Sequence, residues 1–213
     1  MMVKRGLAAV GEMCRPRVEG DREAEILDAT LDLLIEHGYD RLTMDAVASK
    51  AKASKATLYR RWETKPTLVI DAVIRAKGAP QMPDVDTGSL RGDLMATFCG
   101  HKGSAEAIAK GTQVMAALIT AINTDPELGA EFRARFVEPK MATTSLIYQR
   151  AKDRGELGPD CDPSVLGPAL AGILLHRTYV MGEPVSEDLV RQVIDTIILP
   201  AAACDLSTRT SKE

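Results

Sequence analysis

Between Thr43 and Lys65 the chain gathers side chains that could hold a polyanion. Residues 41–65 carry seven basic groups (Arg41, Lys50, Lys52, Lys55, Arg60, Arg61 and Lys65) against two acidic ones, Asp45 and Glu63, a local excess of five positive charges. Lysine and arginine donate to phosphates or to base edges, and the hydroxyls and methyls interleaved with them suit both kinds of contact. From residue 79 to the end the balance reverses, with 13 basic and 18 acidic side chains. The whole chain has a net charge of −3, so nucleic-acid contact must come from the local cluster and not from overall charge. The two halves are electrostatically different, which predicts two functions in one chain.

The spacing within the basic window implies how it is presented. Ser54 can cap a short helix over Lys55 to Trp62 in which Leu58 and Trp62, four residues apart, share a buried face. At 100° per residue that burial turns Ala56, Tyr59 and Arg60 outward, with Lys55 and Thr57 on the flanks. Lys55 and Arg60 can reach base edges or phosphates, Ala56 and the Thr57 methyl can meet a thymine methyl, and Tyr59 can bond a phosphate. Ser54 and Lys65, each at the start of a helix, add amide donors and charge for phosphates. Charge alone would more simply keep a surface wet; the combination with this helical frame is what points to DNA.

That frame starts at Asp21. Ala24, Leu27, Leu31 and Leu34 recur at helical spacing up to His37, and Gly38 supplies a left-handed stop. Thr43 can cap a two-turn helix over Met44 to Ala51, three residues ahead of Ser54, and Thr64 can cap a further helix from Lys65 to about Lys77. A long helix followed by two short ones across a tight turn matches a helix-turn-helix, at about residues 44–63, docking in a major groove. Residues 1–20 read as a flexible basic arm and 205–213 as a disordered tail.

Other chemistries find little support. Cys14, Cys99, Cys161 and Cys204 lie far apart, with no Cys-x-x-Cys and no histidine at metal-ligand spacing, so neither metal nor other cofactor is expected. His37, His101 and His176 fall on separate segments, and no nucleophile elbow, phosphate loop or paired inward carboxylates occur, which argues against an enzyme. No apolar run is long enough for a signal peptide or a membrane span, so the expected location is the cytoplasm, on the nucleoid when DNA-bound. A helical adaptor with its basic face on an acidic protein, or a small helical enzyme, are the alternatives.

The glycine- and proline-rich stretch from Gly78 to Gly88 divides a unit over residues 21–80 from one over 81–204. Beyond it the pattern stays helical, over Ser89–Lys102, Ala105–Asn123, Pro126–Arg154, Pro163–Met181 and Glu187–Ala203, with bends expected at Pro139 and Pro168. The fold class is therefore all-α. On the last helix Leu189, Val193 and Ile197, beside Val190, Ile194 and Ile198, form a wide apolar stripe suited to a dimer interface, and Gly167, Ala171 and Gly172 on the helix before permit close approach. Met95, Phe98, Cys99, Met115, Leu118, Phe136, Met141, Tyr148, His176 and Tyr179 could line an adaptable pocket for a hydrophobic or amphipathic small molecule, and at their helical spacing would serve a plain core equally well.

The run Leu42-Thr43-Met44-Asp45-Ala46-Val47-Ala48, continued by Ser54-Lys55-Ala56-Thr57-Leu58-Tyr59-Arg60-Arg61-Trp62-Glu63-Thr64-Lys65, resembles the DNA-binding domain of TetR-type bacterial transcriptional regulators. The resemblance covers about 60 residues, from Asp21 to about Pro80. It implies a repressor that binds a palindromic operator as a homodimer and is released by a small-molecule effector. Carried over by position, Thr43, Tyr59 and Lys65 become phosphate contacts, and Lys55, Ala56, Thr57 and Arg60 base contacts. Tyr179-Val180-Met181-Gly182-Glu183-Pro184 is similar to the ending of one subgroup, in which the last two long helices of each protomer form a four-helix interface. Where such domains often have glycine in the turn, this chain has Lys52, which predicts a non-glycine residue in a left-handed conformation.

Overall fold

The computed structural model describes residues 19–78, 85–100 and 104–204; the tail at 205–213 and the expected arm, apart from its last two residues, lie outside them. Those two residues open a longer first helix, α1 (Glu19–Arg41), broken at Gly38, whose φ of 75° and ψ of 170° only glycine adopts without strain. The helices α2 (Met44–Lys50), α3 (Lys55–Arg61) and α4 (Lys65–Lys77) follow. Each starts behind a hydroxyl that accepts a free amide: Thr43 from Ala46 at 3.1 Å, Ser54 from Thr57 at 3.1 Å and Thr64 from Thr67 at 3.4 Å. Such caps contribute about 1 kcal/mol apiece. Helices of seven residues would not form alone, so α2 and α3 owe their order to these caps and to the buried Val47, Ala48, Leu58 and Trp62 beneath them.

The rest of the chain is also helical: α5 (Leu90–Cys99), α6 (Ala105–Ile119), α7 (Ala121–Thr124), α8 (Pro126–Phe132), α9 (Glu138–Asp153), α10 (Pro163–Tyr179), α11 (Glu187–Val193) and α12 (Leu199–Ala202). Ser89, Ser104, Asp125, Asp162 and Ser186 cap the starts of α5, α6, α8, α10 and α11 in the same way. The segment expected as one helix over 105–123 divides at Thr120, and the two expected over 126–154 and 187–203 each divide at a wider, π-type turn. These turns cover Arg133–Val137 and Ile194–Ile198.

Both π turns stand just ahead of a proline. Pro139 and Pro200 lack an amide donor, and in a regular helix each ring would press on the carbonyl four residues earlier. The chain widens there instead, with the Glu138 amide reaching back to the Arg133 carbonyl and the Leu199 amide to that of Ile194. Pro168 is accommodated without such a turn, within α10.

Packing divides the molecule differently from the loop at Gly78–Gly88. A first buried cluster joins α1 to α4 with Val114, Met115 and Leu118 of α6, Leu128 and Phe132 of α8, and Phe136 of the first π turn. Leu34, Val47, Leu58 and Leu68 are fully buried in it. A second cluster is made by Leu90 and Leu94 of α5, Ile147 and Tyr148 of α9, Leu170 and Leu174 of α10, and Val190, Val193, Ile194 and Ile198 of the last helices. It is tied at one end by Asp93, whose carboxylate accepts the Thr87 amide at 2.6 Å, the Thr87 hydroxyl at 2.7 Å and the Arg154 guanidinium at 3.1 Å. Burial alone would raise that carboxyl, but these donors outweigh it and hold it below the usual carboxylate range.

The stripe expected at a dimer interface is largely used up inside this second cluster. Val190, Val193 and Ile194 are buried in their own protomer, Leu189 is half-buried against them, and Ile197 is exposed. A six-residue stripe wraps too far round a helix for one partner to cover all of it.

Candidate nucleic-acid interface

The end of α2, the turn and α3 are held as one unit from below. Leu58 is fully buried and Trp62 is 2% exposed, and this fixes which way α3 faces. Lys55, Ala56, Tyr59, Arg60 and Arg61 are exposed and Thr57 is half-buried, the pattern predicted from the wheel. In the turn Lys52 has φ 52°, the one non-glycine residue with positive φ among the described residues. The Ala53 amide reaches the Ala48 carbonyl at 2.8 Å, and the Arg22 guanidinium donates to the carbonyl of Lys52. A non-glycine residue in this region costs roughly 1–2 kcal/mol. Here the donor from α1 stabilises the turn that glycine would otherwise favour.

The predicted contact residues differ in how free they are. Arg60 carries no ion pair among the described residues and stands exposed beside Tyr59, which is 51% exposed. Lys55 donates to Asp45 at 2.7 Å, a contact that raises its pKa. Both partners are well exposed, so the pair is weak and a phosphate or base edge can replace Asp45 at little cost. Ser54 and Thr57 are engaged with each other, hydroxyl to hydroxyl at 2.8 Å, and Thr43 caps α2. Lys65 is half-buried: its ammonium donates to the Tyr39 carbonyl at 3.2 Å and lies 3.8 Å above the Tyr39 ring. Arg61 reaches back to Glu23 on α1 in a two-point contact at 3.2 and 3.3 Å.

Two links that sequence reasoning missed join this unit to the helices behind it. The Trp62 indole N–H donates to one carboxylate oxygen of Asp71 on α4 at 2.7 Å, and the Arg135 guanidinium from the first π turn donates to the other. The Tyr39 hydroxyl donates to Asp125, the cap of α8, at 2.9 Å. Burial, with that carboxylate beside it, raises the Tyr39 phenol far above its ordinary range, and the amides of α8, that of Leu128 foremost, hold Asp125 low. Partners 64 and 86 residues apart leave no local pattern. The one available signal was an aspartate, Asp71, set within the apolar run Leu68-Val69-Ile70 and Ala72-Val73.

The residues expected to line a pocket are not gathered at one place. Met115, Leu118 and Phe136 belong to the first buried cluster, with Tyr179 against it; Tyr148 belongs to the second, with Met95, Phe98 and Cys99 at its edge. Burial pushes the Tyr148 phenol up to about 12. Met141 is 55% exposed, and His176 is also on the surface.

The comparisons with known proteins agree with this geometry. A profile for bacterial regulatory proteins of the tetR family matches residues 26–72, and one for the tetracyclin repressor-like C-terminal domain matches residues 84–197. An uncharacterized HTH-type transcriptional regulator of Mycobacterium tuberculosis is 38% identical over 183 residues, 84% of this chain and 87% of its own length. A DNA-binding transcriptional repressor of Mycobacteroides abscessus is 35% identical over 179 residues, 84% of this chain and 92% of its own length. Among solved structures, a TetR family transcription regulator with 30% identity superposes with a TM-score of 0.58, covering 87% of this chain and 100% of the other.

Proposed function

The chain belongs to the TetR family of bacterial transcriptional regulators, and on that premise we propose that it is a repressor that binds a palindromic operator as a homodimer and leaves it when a small molecule binds. It is a DNA-binding regulator and not an enzyme, so the adaptor and enzyme alternatives give way. The observation that carries the reading is the exposed Lys55, Tyr59 and Arg60 on a short helix held by Leu58 and Trp62. Arg60, free of protein partners among the described residues, reads base edges; Lys55 exchanges Asp45 for DNA; Tyr59 and Thr43 meet phosphates. Ala56 and Thr57 supply apolar contact, and Ser54 and Lys65, at the starts of α3 and α4, add phosphate contacts.

The dimer partner covers the apolar face that the protomer leaves open, Ile197 with Val165 and Leu175 of α10, all three exposed. A dimer spaces its recognition helices to match major grooves roughly 34–36 Å apart. An effector that prefers another spacing lowers DNA affinity, and the contact of Arg135 with Asp71 under Trp62 is the mechanical route for it. The chain works where its DNA is, in the cytoplasm.

The test is selection of duplexes from a random pool by the full chain at near-physiological salt, followed by sequencing. An enriched inverted repeat is expected, and on it Arg60→Ala should weaken binding about 10- to 100-fold and relax base preference at one position per half-site, as loss of one bidentate contact does. Recovery of unenriched DNA would overturn the reading.

A further inference from the structure

The start of α1 is held against the recognition unit. Arg22 donates to the carbonyl of Lys52 in the turn that precedes α3, and Glu23 accepts the Arg61 guanidinium from the far end of α3 at 3.2 and 3.3 Å. Seven helical residues span about 10 Å, so two neighbouring side chains of α1 bracket the whole of α3. From there α1 runs towards the rear of the molecule, where Asp28 meets Arg75 on α4 and Asp32 meets Lys110 on α6. The chain ahead of Glu19 therefore joins the protein at its DNA face.

That preceding stretch is charged for such a place. Residues 1–18 hold Lys4, Arg5, Arg15 and Arg17 against Glu12, an excess of three positive charges in a chain whose net charge is −3. The first described turns of α1 are instead acidic, with Asp21, Glu23 and Glu25, and Arg22 among them is paired with Glu25 at 2.6 Å. At this end of the chain the net positive charge thus lies ahead of α1 and not on it. Arg17 and Arg15 stand two and four residues before Glu19, and at about 3.5 Å per residue the chain can carry them about 7 and 14 Å from it. Successive major grooves lie roughly 34–36 Å apart, so the minor groove beside the one that α3 enters is about 17 Å away. With its own side chain added, Arg15 covers that distance. A narrow, A·T-rich minor groove concentrates negative potential and draws in arginine.

We infer that residues 1–18 are a second DNA-binding element, in which Arg15 and Arg17 enter the minor groove flanking the recognition helix and Lys4 and Arg5 neutralise phosphates farther along. The inference rests on the docking of α3 in a major groove of an inverted repeat and names what the chain grips beside it, an A·T-rich flank. In a homodimer two such elements extend the contacted duplex outward from both half-sites.

The inverted repeat recovered from the random pool is the probe, and the full chain is compared with two full-length double variants, Arg15→Gln with Arg17→Gln and Lys4→Gln with Arg5→Gln. Each removes four positive charges from a dimer. The arginine variant should bind about tenfold more weakly at near-physiological salt, and its slope of log affinity against log salt should be smaller by about 3 to 4. It should also lose hydroxyl-radical protection of the flanking minor groove and the preference for A·T over G·C there, with base preference inside the half-sites kept. The lysine–arginine variant should lower the salt slope and leave the flank preference in place. Arg60→Ala should do the reverse, altering preference within the half-site while the flank stays protected. Unchanged affinity and slope, tighter binding by the variants, or a smaller slope with no flank protection or A·T preference in the parent chain would overturn the assignment. Failure of the parent chain to retain any duplex is a separate result, and it would remove the docking of α3 itself.

Discussion

The unit that faces DNA and the cluster behind it are built on opposite plans. In the first, short helices are fixed on one dense core and the charged groups stand outside it, so Leu58 and Trp62 define by their burial what Lys55, Tyr59 and Arg60 may touch. In the second cluster the polar tie is itself fully buried, Asp93 under Thr87 and Arg154, whereas the polar ties of the first, Asp71 and Asp125, are only half-buried at its edge. The first core nevertheless runs on through α6 and α8 into the C-terminal half. The two cores are distinguished by which helices share them, α1 to α4 with α6 and α8 in one, and α5 with α9 to α12 in the other. A regulator made this way can vary its rear cluster without disturbing its recognition face, while the shared core keeps the two in register.

The largest effect that would break this contrast is loss of the central apolar anchor. Leu58→Ala should cost about 2–5 kcal/mol of unfolding free energy and abolish duplex binding in proportion to the unfolded fraction, measured by urea denaturation beside a retention assay. A smaller effect probes the second cluster. Asp93→Asn should lower stability at pH 7 by about 1–3 kcal/mol, because Thr87 and Arg154 lose a charged acceptor. The sign with pH follows from its depressed pKa: the contribution is complete above the ordinary carboxylate range and is lost as the pH falls through the native value below it. The parent chain should therefore lose its advantage over the variant in acid, and melting curves between pH 7 and 3 will show whether the two converge. The smallest effect sharpens the turn. Lys52→Gly, which relieves a φ of 52°, should raise stability by about 1 kcal/mol in the same urea assay.

Much of the recognition unit was legible because its signals are local. Cap and buried residue lie within one turn of each other, as with Ser54 and Leu58, and the stop at Gly38 and the left-handed Lys52 follow from the same short-range sterics. The rear half yielded its helices and a disturbance at Pro139, but not the break at Thr120 or the π turn before Pro200, which depends on how a long helix sheds one missing amide. Its stripe from Leu189 to Ile197 showed that a face is apolar without showing whether the partner is the same chain or a second copy. Met115 and Tyr148, each with its helical period, went to different clusters for the same reason. The Asp71 contacts needed the tertiary fold to appear at all, because the carboxylate on α4 bridges groups from two other elements.

Trp62 is the chain's single tryptophan, and it sits where α3, α4 and the first π turn meet. The protein is thus its own optical probe. Its ultraviolet emission comes from one indole, shielded from water and bonded to the carboxylate that Arg135 also holds, so a change in the tension of that contact alters wavelength and intensity without any label. Events at the rear of the molecule and at the DNA face can be timed on the same signal, in the unmodified chain.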